Sequence, residues 1–133
     1  MPSQIKYNEG YKYQLVEEFM TQTRVVGLSV QTDFICLYPD GRLVVKNGYA
    51  WDGATGVPDL KNIMKGSLAH DALYQLIRMG LIPEKCKKYA DLTLRDICES
   101  DGMNPVLAYV VLKGVEAFGF YGLGPEREIK TAP

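Results

Sequence analysis

The chain has 133 residues, 47% hydrophobic and 23% charged, which suits one globular domain and is too short for two full cores. Its 15 basic and 16 acidic residues give a formal net charge of −1. That balance argues against a nucleic-acid partner, because phosphate binding needs clustered positive charge. The single histidine, His70, excludes sites that need two, such as HExxH zinc proteases and two-histidine zinc fingers.

No apolar leader segment opens the chain, and its longest apolar run, Pro105 to Leu112, is far below the ~20 residues of a membrane span. The expectation is a soluble, cytoplasmic protein without a signal peptide or membrane span. Cys36, Cys86 and Cys98 form no CxxC pair, and their odd number does not suggest a disulfide framework. With His70 they equal a zinc quartet in number, but their spacing fits no ligand pattern.

β signals open the chain at Tyr11–Phe19 and Arg24–Val30 and strengthen at Phe34–Tyr38 and Arg42–Lys46. Pro39-Asp40-Gly41 between the last two is a tight-turn signal, since proline presets φ and glycine supplies φ > 0. Asn47-Gly48 is a hairpin signal and predicts a further strand at Tyr49–Asp52, completing an antiparallel meander. Residues 51–66 are loop-like, with a short helical turn expected around Asp59–Met64.

Three helices are expected next, so the fold class is α+β: a small β meander followed by helices, in one domain over residues 1–133. Ser67 is placed to N-cap the first helix, which ends at Gly80. Ala69, Ala72, Leu73 and Leu76 share its apolar face, with His70 at the edge of that face and Asp71 on the polar side. Pro83 suits the first turn of the second helix, which runs to about Asp101 with Gly102 after it. Cys86, Ala90, Leu94 and Ile97 make its stripe, flanked by Asp91, whose surface partner is expected to be Arg95. Asn104-Pro105 opens the third helix, to about Phe118. It is apolar nearly all round and is expected to be largely buried at the centre of the domain. The stretch 125–133 is expected to be a frayed tail.

The chemistry-bearing candidates are Asp52 with Thr55 at a strand end, His70 and Asp71 with Tyr74 a turn later, and Asp91. Adjacent helical residues diverge by about 100°, so His70 and Asp71 do not pair simply by being neighbours. The phosphohydrolases that use a His-Asp dipeptide need further histidines.

The order of these motifs resembles the DUF1353 family of phage and prophage proteins, over residues 25 to 120. Gly48, Asp52, Gly53, Ala54, Thr55 and Pro58 match its loop motif, with Thr55 where the family usually has serine. His70, Asp71, Leu73 and Tyr74 match the second motif, Ala90-Asp91 the third, and Tyr109 and Gly119 the last. The resemblance implies that Asp52, His70, Asp71 and Asp91 form one constellation. It would serve as a general-base site, as a ligand set for Mg²⁺, Mn²⁺ or Zn²⁺ built on Asp52, His70 and Asp91, or as a polar network without catalysis. Two functions follow. One is a phage accessory or virion-associated protein, such as a tail component, that acts by binding a phage or host protein. Nine tyrosines favour this, with Tyr7, Tyr11, Tyr13 and Tyr121 near the termini. The other is a small metal-dependent phage hydrolase using the Asp-His-Asp-Asp set.

Overall fold

The structure is a computed structural model that describes residues 7–8, 13–51 and 61–122. Among the described residues, seven short strands precede three helices, an α+β arrangement as the sequence predicts. The chain divides into a β unit that ends at Asp52 and a helical unit that begins at Gly53.

The β unit holds two antiparallel sheets. One has the order β1-β2-β7, from Tyr7–Asn8, Tyr13–Leu15 and Ala50–Trp51. The other has the order β3-β6-β5-β4, from Phe19–Gln22, Arg42–Val45, Ile35–Leu37 and Val30–Gln31. Its register sets Phe19 and Ile35 on either side of Val45, and Thr21 and Leu37 on either side of Leu43. Alternation thus puts five apolar residues and Thr21 on one face, and all six are buried.

Local side chains bend the chain between strands. The Thr23 hydroxyl donates to the Gly41 carbonyl (2.7 Å) and accepts from the Val25 amide (3.1 Å), which ends β3. The Thr32 hydroxyl accepts from the Ile35 amide at 2.9 Å and turns β4 into β5. The Pro39-Asp40-Gly41 turn is present: Gly41 has φ +93°, and Asp40 Oδ1 accepts from the Arg42 amide at 3.0 Å. A Cβ on Gly41 would lie 2.6 Å from the Thr23 carbonyl, so both the conformation and the space require glycine.

Three β expectations change. Tyr11–Phe19 is not one strand, because the chain breaks after Leu15 and β2 and β3 join different sheets. Arg24–Val30 is irregular until Val30, since the Thr23 turn and Gly27, at φ +82°, interrupt it. Asn47-Gly48 does turn, with Gly48 at φ +99°, but it closes no hairpin onto β6. The Gly48 amide bonds the Leu15 carbonyl and the Leu15 amide bonds the Tyr49 carbonyl, both at 2.8 Å, so the strand that follows pairs with β2.

The helical unit starts with a 3-10 turn at Lys61–Ile63 that runs into α1, Met64–Arg78. Ser67 is not its cap. It lies a turn inside, and its hydroxyl donates to the Met64 carbonyl at 3.0 Å. At the other end Gly80, at φ +75°, donates to the Ile77 carbonyl and the Leu81 amide to the Leu76 carbonyl, a Schellman stop. Pro83 precedes a 3-10 turn, Glu84–Cys86, and regular α2 spans Lys87–Ser100. Gly102, at φ +94°, and Met103 repeat the Schellman pattern on Glu99 and Cys98. Helix α3 covers Pro105–Gly122, with Asn104 Oδ1 accepting from the Val106 amide at 2.7 Å.

Helices α1 and α2 cross closely at Gly66. A Cβ there would meet Leu94 Cδ1 at 2.5 Å and Cys98 Sγ at 3.2 Å. Ile63, Leu94, Cys98, Met103, Ala108, Val111 and Val115 form a buried cluster around α2 and α3. The largely buried helix is α1, not α3: every α1 residue but Lys65, Asp71 and Arg78 is buried. Helix α3 buries one side, through Ala108, Val111, Leu112 and Val115, and exposes Val106, Leu107, Tyr109 and Val110 on others. Apolar composition around a helix states what it is able to bury, and among the described residues α3 buries one flank.

Candidate functional site

The packing of α1 against α2 brings His70, Tyr74, Lys87 and Asp91 together. His70 and Tyr74 are one turn apart on α1, so their rings stack, with centroids 4.0 Å apart and planes 36° from parallel. Lys87 and Asp91 are one turn apart on α2. The Asp91 carboxylate is the hub. Tyr74 Oη donates to Oδ1 at 2.6 Å, His70 Nε2 lies 2.7 Å from the same oxygen, and Lys87 Nζ donates to Oδ2 at 2.9 Å. An ionised carboxylate accepts only, so the imidazole carries its proton on Nε2.

The hub is closed to water. The side chains of Asp91 and His70 are 1% and 4% exposed, and only Lys87, at 22%, reaches the surface. Burial drives the Asp91 carboxyl toward neutrality. The His70 hydrogen bond and charge, then the hydrogen bonds from Tyr74 and Lys87, outweigh it and hold the carboxyl below its usual range. Burial pushes the Tyr74 hydroxyl far up, and Asp91 and Glu116 push it the same way. Tyr74 therefore stays a donor, and Asp91 stays a charged acceptor with a cation on one oxygen and two neutral-capable donors on the other.

The candidate residues fare differently. His70, Tyr74 and Asp91 meet. Asp71 is half-buried on α1 and is not among the partners of Asp91. Asp52 and Thr55 lie outside the described residues, as do Gly53, Ala54 and Pro58 of their loop motif and the 125–133 tail. Arg95 does not pair with Asp91: it reaches Asp96 at 3.3 Å, and Lys87, a turn in the other direction, takes Asp91 instead. Lys87 is the member that sequence reasoning missed. Its signal was a Lys-x-x-x-Asp spacing, as legible as the Asp-x-x-x-Arg spacing that lost.

Among the described residues, metal and thiol chemistry find little to work with. Among the described residues no three His, Cys, Asp or Glu side chains gather to hold a metal ion. At Asp91 a cation would have to displace the Lys87 ammonium from one oxygen and two donors from the other. All three cysteines are free and buried. Burial pushes the Cys98 thiol up to about 12, helped by Asp101 and Glu99, and raises Cys86 against the opposing pull of Lys85. Raised thiols are poor nucleophiles and poor metal ligands. No helix among the described residues is long and apolar enough to cross a membrane. A scan against protein-family models, a search of curated proteins and a search of solved structures each found no match.

Proposed function

We propose that this chain is a small phage accessory or virion-associated protein that acts by binding a phage or host protein, with the Asp91 hub as a brace between helices. The observation that carries the reading is the state of Asp91: 1% exposed, with both oxygens engaged by three donors. A carboxylate in that state accepts no proton from a substrate and offers no open position to a metal. The motif order supports the phage origin, and the exposed apolar side chains of α3 suit a protein that binds proteins.

The test is fractionation of phage particles and of host extract, followed by quantification of the chain. The expected result is a fixed stoichiometry with the particle or with one phage or host protein. A monomeric chain in extract, absent from particles, overturns the proposal.

A second reading, the small metal-dependent hydrolase, draws on the His70–Asp91 contact, an imidazole held by a carboxylate at 2.7 Å. It requires metal-dependent turnover that His70→Gln abolishes while the fold survives.

A further inference from the structure

We draw no further inference here: the strongest candidate, the outward face of α3 at Val106, Leu107, Tyr109 and Val110, is an unpartnered apolar helix face, and nothing in the structure shows what covers it.

Discussion

Asp91 carries more consequence than any other described residue, because three side chains are arranged around one carboxylate. The substitution Tyr74→Phe removes one hydrogen bond to a charged acceptor and keeps the ring against His70. It should cost ~1.5–3 kcal/mol, read by denaturant unfolding. Lys87→Met should cost at least as much, ~3 kcal/mol, since it leaves a carboxylate that is 1% exposed without its ammonium partner. The pH dependence has a definite sign. The Asp91 carboxyl sits below its ordinary value in the folded chain, so the unfolded chain takes up its proton first as pH falls. Its contribution is present in full above the unfolded value of about 3.9 and is lost as pH drops through the lower folded value. The stability gap between wild type and Asp91→Asn should therefore narrow below about pH 4. Urea titrations of the two proteins from pH 6 to pH 2 read it directly. A gap that widens in acid would refute the assignment.

At the level of elements, two glycines separate space from conformation. Gly66 has an ordinary helical backbone, but its missing Cβ lets α1 approach Leu94 and Cys98. Gly66→Ala gains helix propensity and meets buried atoms, so we expect a net loss of about 1–2 kcal/mol. Gly80 has open space around its Cβ position and a φ of +75°. There Gly80→Ala should cost about 1 kcal/mol through backbone strain alone. Melting temperatures of both variants check the pair, and equal tolerance of alanine at Gly66 and at a solvated helix position would contradict the close crossing. The helix stops at Gly80 and Gly102 and the start at Asn104 were legible, because each rests on a local rule. Ser67 misled because a helix start also depends on what the preceding turn does, and here Lys61–Ile63 is already wound. The Asn47-Gly48 turn was legible as a turn but not as to which strand it serves. A turn sets local geometry, whereas the strand after it pairs with Leu15 and its neighbours from far up the chain.

Across the whole molecule, class was easier to read than burial. Strand periodicity followed by helix periodicity gave α+β, and the structure agrees. The identity of the buried helix was not readable from apolar content, because α1 carries His70, Tyr74, Gln75 and Ser67 and still lies inside. Polar groups go inside when partners await them, and the partners of His70 and Tyr74 sit on another helix. The same fact explains why the pairing of His70 with Asp91 emerged from motif order and not from spacing: 21 residues separate them. The open apolar side chains of α3 should be dispensable for folding. Val110→Asp, at a position 56% exposed, should shift stability by less than about 0.5 kcal/mol, and circular dichroism melts test this. A large loss there would mean that this face is covered in the folded chain.

The most direct measurement is the unfolding free energy of Asp91→Asn against wild type at neutral pH. Asparagine keeps one accepting oxygen for the His70 and Tyr74 donors, but it turns an NH2 donor toward the Lys87 ammonium and removes the charge that offsets it, so the account predicts a loss of ~2–4 kcal/mol. A carboxylate kept buried for chemistry at a cost to the fold gives the opposite sign, because neutralising it relieves that cost. Equal or greater stability of Asp91→Asn would contradict the brace.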